Sequence, residues 1–307
     1  MEEEGFSTGD KAPPPKNTGA KKVSEVLFSR KISPEELVNI YKAAGFCLKG
    51  KVAVKLHSGE PGGHNFLQAD FVKPIVDFLK GVIVECNTAY EGGRFKTEDH
   101  LRVMQEHGFA GIAPVDIMDS DGETALKISG GKQIDKNYVG KNLSRYDSIL
   151  ILSHFKGHVM GGFGGALKNM SIGIASSHGK AHIHGAGDPK KLWDCEQDKF
   201  LEAMADADKS IVEFFGGRIA YINVMRNLSI DCDCDSNPHP PEMADIGILA
   251  SHDPVALDQA CVDLVYASPD KGKASLIRRI EERNGTHILQ AAEELGIGSR
   301  KYVLKEM

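Results

Sequence analysis

The sequence predicts an α/β fold in which helices flank a largely parallel sheet. Two observations predict it: strand-like and helix-like segments alternate over most of the 307 residues, and polar, glycine-rich turns follow three of the strands. We expect a flexible arm over residues 1–22 and one α/β domain over 23–307, with 23–145 and 146–307 as candidate lobes. A chain of this length can bury an ample core.

The individual elements follow from local patterns. Ser33 is placed as an N-cap, Pro34 follows at the first helical position, and Gly45 ends the helix. Alternating and β-branched residues predict strands at 51–58, 81–87, 149–152, 218–227 and 246–250. Apolar residues at helical spacing predict helices at 69–80, 98–107, 194–217, 271–283 and 285–295, and one that begins at Pro254 with Asp253 as its N-cap.

Composition and charge argue against several classes of function. The net charge is −6 and no basic face stands out, so nucleic acid is not an expected partner. No apolar run approaches the ~18 residues that a membrane span requires. The first twenty residues lack the basic start and apolar centre of a signal peptide. We therefore expect a cytoplasmic protein that does not contact a membrane.

Three turns that follow predicted strands, at 59–65, 87–94 and 154–165, carry polar and charged residues. If these strands are parallel neighbours, all three turns lie at one edge of the sheet, where open α/β sheets bind their ligands. The edge would then form one pocket lined by Lys55, His57, Glu60, Arg94, His154, Lys156, His158 and Lys168. The alternative for the first turn is an ordinary polar loop.

The stretch 148–188 carries the strongest signal for a site. A short apolar strand runs into a polar turn with two histidines, then a run of glycines, and then Lys168 beside Asn169. Glycine lets the backbone approach a ligand closely, while lysine and imidazole supply a charge, a proton carrier and metal ligands. We predict Lys168, His154 and His158 as catalytic residues. The alternative is a flexible surface loop whose histidines are solvated.

Other polar residues and glycines at these turns are predicted to bind a small-molecule substrate or cofactor. Arginine and lysine bind anionic groups, the first through a planar fork and the second through a compact charge. The predicted binding residues are Lys55, Glu60, Asn87, Arg94, Lys156, Gly164, Gly165 and Asn169.

Cys232 and Cys234 stand one residue apart among three aspartates. In an extended chain two such side chains point the same way, so both sulfurs could reach one metal ion or form one disulfide. Two sulfurs are half of the four ligands that zinc and iron–sulfur clusters normally take. Metal binding and redox use are therefore both open for this pair.

The segment 155–184, FKGHVMGGFGGALKNMSIGIASSHGKAHIH, resembles the hallmark of the domain-of-unknown-function 362 family, whose members are often described as iron–sulfur centre proteins. The blocks from Lys55 to Glu60, Cys232-Asp233-Cys234 and 245–265 also match. The resemblance spans roughly residues 25–302 and implies the family's α/β fold.

One feature of many relatives is missing from this chain. They carry a ferredoxin-like insert with two CxxCxxC…CP cluster motifs after the histidine-rich segment. Here that place holds only Cys195, and the chain has no CxxC motif. We therefore do not expect an iron–sulfur cluster, and a ferredoxin-like protein is a candidate partner.

A second resemblance is to the lactate racemase family, whose members hold nickel in a pincer cofactor. Gly164, Gly165, Lys168 and a later histidine, at 178, 182 or 184, are similar to its G-G-x-K segment and histidine. The resemblance implies that Lys168 anchors a cofactor and that the histidines ligate metal or move a proton. We predict a divalent metal ion with Cys232, Cys234, His182 and His184 as ligands.

The predicted function is that of a metal- or cofactor-dependent enzyme acting on a small anionic substrate in the glycine-rich Lys/His pocket. Lys168, Lys156 and Arg94 would hold the anion, and imidazole would bind metal or act as an acid–base group. One alternative is a redox or electron-transfer protein that uses Cys232 and Cys234. Another is a non-catalytic metal-binding protein.

Overall fold

An eight-stranded sheet forms the centre of the protein in a computed structural model, which describes residues 23–307. The arm expected over 1–22 lies outside the described residues. Eight of the strands in residues 23–307 form this sheet, while β5 pairs with β6 and β8 with β9 in two separate hairpins. The strands are β1 (Ser24–Ser29), β2 (Val52–Lys55), β3 (Val82–Glu85), β4 (Val115–Ile117), β5 (Glu123–Lys127), β6 (Lys136–Gly140), β7 (Ser148–His154), β8 (Lys156–His158), β9 (Gly162–Gly164), β10 (Ile219–Met225), β11 (Gly247–Ser251) and β12 (Tyr302–Glu306).

Helices cover both faces of this sheet. They are α1 (Pro34–Ala43), α2 (Ala69–Leu79), α3 (Thr97–Glu106), α4 (Phe109–Ile112), α5 (Ala166–Ile174), α6 (Ser177–His184), α7 (Gln197–Phe215), α8 (Pro254–Ala267), α9 (Lys273–Glu282) and α10 (His287–Glu294). Two short 3₁₀ helices lie at Lys141–Arg145 and Pro189–Lys191.

The strand order of the sheet is β12-β1-β11-β10-β7-β2-β3-β4. The five strands from β10 to β4 are mutually parallel, whereas β11 runs antiparallel to both of its neighbours. The predicted α/β fold with a largely parallel sheet is therefore confirmed. Strands from both candidate lobes, 23–145 and 146–307, hydrogen-bond within this one sheet.

Alternating residues of the strands supply two hydrophobic layers. On β7, Ile149 and Ile151 pack in the layer that contains α5, α7 and α8, and Leu150 and Leu152 pack in the layer that contains α1 and α2. All seven β7 residues are buried, as expected for a parallel strand covered on both faces. The carboxyl end of β7 is thus fixed from both sides.

Each predicted strand and helix is present, with ends shifted by a few residues. The predicted caps are also present, since Ser33 accepts a hydrogen bond from the backbone of α1 and Asp253 accepts two from the backbone of α8. The sequence patterns missed β1, β4, β12, the hairpins β5–β6 and β8–β9, and the helices α4, α5 and α6. Glycine and histidine lower helix propensity in α5 and α6, where tertiary packing prevails.

Two buried aspartates of α7 differ sharply in their partners. Asp206 accepts hydrogen bonds from the backbone amides of residues 132, 133 and 134, at 2.7–3.0 Å. Both carboxyl oxygens of Asp208 are buried and have no hydrogen-bond partner within residues 23–307. Burial, and then the charge of Asp258, raise the pKa of Asp208 well above its usual range.

We expect Asp208→Asn to raise the free energy of unfolding by about 1–3 kcal/mol near neutral pH, because a buried carboxyl without partners is costly. A raised folded-state pKa means that wild-type stability falls as pH rises above about 4, the unfolded-state value. The extra stability of Asp208→Asn over the wild type should therefore shrink toward acidic pH. Urea unfolding followed by circular dichroism at several pH values measures it.

Asp206→Asn on the same helix is the matched control. It should lower the free energy of unfolding by about 1–3 kcal/mol, because it removes an acceptor from buried amides. Shifts of the same sign in the two variants would contradict this account of α7.

Candidate functional site

The structure brings the three strand-end turns together at one edge of the sheet. They follow β2, β3 and β7, which are parallel neighbours, and the loop after β10 joins them. A cavity of about 450 Å³ lies there. Of the residues predicted to line one pocket, the cavity wall contains Lys55, His57, Arg94, His154, Lys156, His158 and Lys168.

A buried ion pair closes the floor of the cavity. The Nζ of Lys55 lies 2.7 Å from Oε2 of Glu85, and the exposed fractions of the two side chains are 1% and 3%. Glu85 also accepts a hydrogen bond from the backbone amide of Ser58, at 2.9 Å. Burial acts against the charge of Glu85, but Lys55 and neighbouring cationic groups lower its pKa below the usual range. The ionised pair joins the ends of β2 and β3.

Arg94 is bound in a similar way. Its Nε donates to Oε2 of Glu60 at 2.8 Å, and the other carboxylate oxygen accepts from the backbone amide of Gly93 at 3.0 Å. Glu60 lies behind Arg94, in a smaller recess beside the main cavity. The charge of Arg94 is therefore already neutralised by a buried carboxylate.

Asp233 anchors the loop that follows β10. Its carboxylate lies 2.7 Å from Nζ of Lys156 and 3.0 Å from Nδ1 of His154. The other ring nitrogen of His154 lies 2.6 Å from the carbonyl oxygen of Arg226. Because both nitrogens of His154 face oxygen acceptors, this predicted catalytic histidine is occupied in holding the loop.

Cys232 and Cys234 meet across a tight turn rather than along an extended strand. The backbone amide of Asp235 donates to the carbonyl of Cys232 at 2.9 Å, which closes the turn. The donor atoms of Cys232, Cys234 and His158 all lie within 4.8 Å of one another. A hydrogen bond from Cys234, and then the neighbouring His158, Lys168 and Lys156, lower the pKa of Cys232 despite its burial. Because Cys234 donates this hydrogen bond, its protonated form is favoured and the pKa of Cys234 is raised.

The hydrogen bonds of two histidines fix opposite tautomers. Nδ1 of His158 accepts from the backbone amides of Met160 and Gly161 at 3.2 and 2.9 Å, so its proton must lie on Nε2. Nδ1 of His184 lies 2.8 Å from the carbonyl oxygen of Lys180 and must donate, which leaves a lone pair on Nε2. His158 is therefore a donor and His184 an acceptor toward their surroundings.

Both rings are neutral at physiological pH. Burial, and then the charge of Lys168, lower the pKa of His158 to about 4. Burial also lowers the pKa of His184 to about 3, and Lys168 adds to the effect. A neutral imidazole retains the tautomer that its hydrogen bonds impose, so His158 presents an N–H and His184 a lone pair at Nε2.

Lys168 lies on the first turns of α5, half-buried at the cavity wall. The carboxylate of Asp258 on α8 accepts from the amides of Ala166 and Leu167 at 2.8 and 3.0 Å and so caps α5. A Cβ on Gly165 would lie 2.4 Å from that carboxylate, so glycine is required there. The first amides of α5 are thus satisfied by protein, and among residues 23–307 no hydrogen bond or ion pair engages the ammonium of Lys168 at this wall.

Three other predicted residues have partners that define their roles more narrowly. The amide of Asn169 donates to the carbonyls of Lys55 and Leu152 at 3.2 and 3.1 Å and so ties β2 to β7. Asn87 does not line the cavity, since its side chain bonds to those of Thr97 and His100. His182 also lies away from the cavity and packs edge-on against Tyr138.

The predicted metal ligands fit an ion only in part. The sulfurs of Cys232 and Cys234 are close enough to share one soft metal ion. His158 completes the group in place of the predicted His182 and His184. However, metal-binding histidines normally donate their second nitrogen to an acceptor, and Nδ1 of His158 instead accepts from two amides. His184 has the suitable tautomer but is not part of this group.

An aromatic pair marks the opening of the cavity. Trp193 is 66% exposed, and its ring centroid lies 6.1 Å from that of Tyr90. Val159, which is 50% exposed, lies on the same wall. The entrance is therefore apolar, while the floor is charged.

Some residues of this site carried little sequence signal. Glu85 ends an otherwise apolar strand, and that position could have indicated a buried ion pair. Asp233 appeared only as one of several aspartates near the cysteines, and the distance in sequence from Asp258 to α5 hid its capping role. The carboxylates of Glu85, Asp233 and Asp258 nevertheless position other parts of the site: Lys55, the pair His154 and Lys156, and the first turn of α5.

The fold and the site together define an α/β protein with a ligand-sized cavity at the carboxyl ends of its parallel strands. The family model described as "Domain of unknown function (DUF362)" matches residues 52–263. Because the match covers more than half of the chain, the protein belongs to this family, as its motifs predicted. No curated protein matches the sequence.

Solved structures with a related arrangement include the lactate racemase apoprotein from Thermoanaerobacterium thermosaccharolyticum, at 13% identity and a TM-score of 0.46. That match covers 78% of this chain and 56% of the racemase chain. A protein from Thermotoga maritima matches at 10% identity and a TM-score of 0.40, over 85% of this chain and 58% of its own. The protein thus spans little more than half the length of either neighbour.

Over residues 23–307, every helix is either too short or too polar to cross a bilayer.

We expect Asp233→Ala to lower the free energy of unfolding by about 3–5 kcal/mol, because it leaves the buried ammonium of Lys156 unpaired. The pKa of Asp233 is lowered in the folded protein by His154 and Lys156, which outweigh its burial. Its contribution is therefore present above about pH 4 and lost as pH falls. Urea unfolding followed by circular dichroism measures both effects.

The double variant Asp233→Ala, Lys156→Met tests the cause. Removing the stranded charge should restore part of the lost stability. A double variant that is less stable than Asp233→Ala would contradict the ion-pair explanation.

Proposed function

We propose that this protein is an enzyme that binds a small anionic substrate at Lys168 and transfers a proton with His184 and His158. The proposal refines the expectation of an enzyme with a Lys/His pocket. It rests on the charges and tautomers of the cavity wall.

The observation that carries the proposal is that the ammonium of Lys168 has no protein partner among the described residues. Five cationic side chains line the cavity: Lys55, Arg94, Lys156, Lys168 and Lys180. The first three are bound to buried carboxylates, and Lys180 donates to the carbonyl of Ala175 at 2.6 Å. Lys168 has no hydrogen bond or ion pair in the part of the chain described, residues 23–307. An anionic ligand would supply the partner that the protein does not.

Acid–base chemistry is supported by the two imidazoles near this charge. The lone pair on Nε2 of His184 can accept a proton, and the Nε2–H of His158 can donate one. A bound anion favours the protonated form of a nearby imidazole and so raises its pKa. The low pKa of His184 would thereby move toward the range where a base works best.

The proposed proton transfer assigns no step to a metal ion. The two cysteine sulfurs suit a soft ion, but His158 presents a proton instead of a lone pair in its present hydrogen bonds. A divalent metal at Cys232 and Cys234 would need a different state of that ring.

We expect Lys168→Ala to weaken the binding of the substrate anion by about 10–100-fold, the value of a hydrogen bond to a charged group. Lys168→Arg retains the charge and is the matched control. A thermal-shift screen of carboxylates and phosphates first identifies an anion that stabilises the wild-type protein against heat. Isothermal titration calorimetry with that anion then measures the change in affinity. Equal affinities of Lys168→Ala and wild type would contradict the proposal.

His184→Asn separates binding from chemistry. The asparagine amide can still donate toward the carbonyl of Lys180, but the lone pair of Nε2 is lost. Turnover of the anion identified above should fall by about 10²–10⁴-fold while its dissociation constant changes little. Unchanged turnover would remove His184 as the proton acceptor.

A further inference from the structure

We infer that Cys232 and Cys234 form a reversible dithiol–disulfide centre that exchanges with a small anionic disulfide entering the cavity. This inference goes beyond the proposed function and needs no proton transfer by the histidines; it shares with the proposed function the binding of an anion by Lys168. It is carried by the turn that holds the two sulfurs, by their access to the cavity, and by the groups around them.

The turn places the two sulfurs together and keeps the intervening aspartate elsewhere. The bond from the Asp235 amide to the Cys232 carbonyl closes the turn, and the sulfurs lie within 4.8 Å of each other. The carboxylate of Asp233 is bound to Lys156 and His154. The amide of Glu60 donates to the carbonyl of Asp233 at 2.9 Å. The pair is thus held from several sides.

The two sulfurs can be reached by a small molecule. Both cysteines line the main cavity, and Cys234 also lines the smaller recess beside Glu60 and Tyr90. Cys234 is only partly buried. Each of the two thiols is therefore accessible without unfolding of the chain.

The other four cysteines do not share these properties. Cys86 and Cys261 are buried and hydrogen-bonded, the first to the carbonyl of Ile174 and the second to the side chain of Asn223. Cys47 and Cys195 do not line the cavity. Reversible exchange is accordingly expected at one place among the described thiols.

Groups around the pair suit exchange with an anion. The proton on Nε2 of His158 is available to a sulfur that carries negative charge, because Nδ1 is held by two backbone amides. The ammonium of Lys168 lies on the same wall and can bind a carboxylate of the incoming molecule. The cavity of about 450 Å³ fits a small molecule and excludes a folded protein.

The exchange balances in two steps. The sulfur of Cys232 attacks one sulfur of the small disulfide, whose S–S bond breaks, and the first small thiol leaves with the proton of Cys232. The sulfur of Cys234 then attacks Cys232 in this mixed disulfide, and the second small thiol leaves with the proton of Cys234. Two protein thiols are oxidised to one disulfide, and one small disulfide is reduced to two thiols.

Oxidised glutathione, an anionic disulfide, is a suitable probe for the reduced full-length chain. Free thiols are blocked by alkylation at timed intervals, and peptide mass spectrometry assigns each cysteine. We expect a Cys232–Cys234 disulfide in the wild type, a glutathione adduct on Cys232 in Cys234→Ser, and loss of both products at this turn in Cys232→Ser. Cys47→Ser and Cys195→Ser are matched controls that should behave as wild type.

Two further measurements complete the test. The cationic disulfide cystamine should react more slowly than oxidised glutathione, and an equal or faster rate would overturn the anionic ligand class. Elemental analysis of freshly purified protein should find no stoichiometric metal that protects both thiols from alkylation. Such a metal, or alkylation of both cysteines after full equilibration with oxidised glutathione, would overturn the dithiol centre.

Discussion

The buried ion pair between Lys55 and Glu85 is the interaction on which the candidate site depends. Taking two charges out of water is costly, and the cost is offset only where geometry is good and the remaining polar atoms are bonded. Here Asn169 accepts from the same lysine at 3.1 Å, and the amide of Ser58 donates to the same carboxylate. A Cβ on Gly173 would lie 2.5 Å from the lysine side chain. The pair therefore fixes β2, β3 and α5 against one another.

The same logic of paired charge extends over the cavity wall. Arg94 is bound by Glu60 and Lys156 by Asp233, each at 2.7–2.8 Å. Charges bound in this way support loops, and they have little attraction left for a ligand. Many of the polar residues at the strand ends thus build the pocket. The groups to which we assign chemistry are different ones: the ammonium of Lys168, two imidazoles oriented by hydrogen bonds to the backbone, and two thiols.

Much of the fold could be predicted from the sequence, because its parallel strands and amphipathic helices carry strong periodicity. The meeting of three turns at one edge follows from that fold. The capping of α5 by Asp258 could not be predicted, because the two are about ninety residues apart and joined only by packing. The surroundings of the histidines were also hidden. His154 and His158 look alike in sequence, and only the structure shows that both nitrogens of His154 face oxygen acceptors whereas Nδ1 of His158 accepts from two backbone amides.

Trp193 gives the molecule a built-in optical property. It is the chain's one tryptophan, and it stands at the opening of the cavity beside Tyr90. Indole emission depends on local polarity and on nearby quenching groups, so the tryptophan fluorescence of the whole protein originates at the cavity opening. A ligand that enters the cavity should therefore change the intrinsic fluorescence of the wild-type chain, without dye or label.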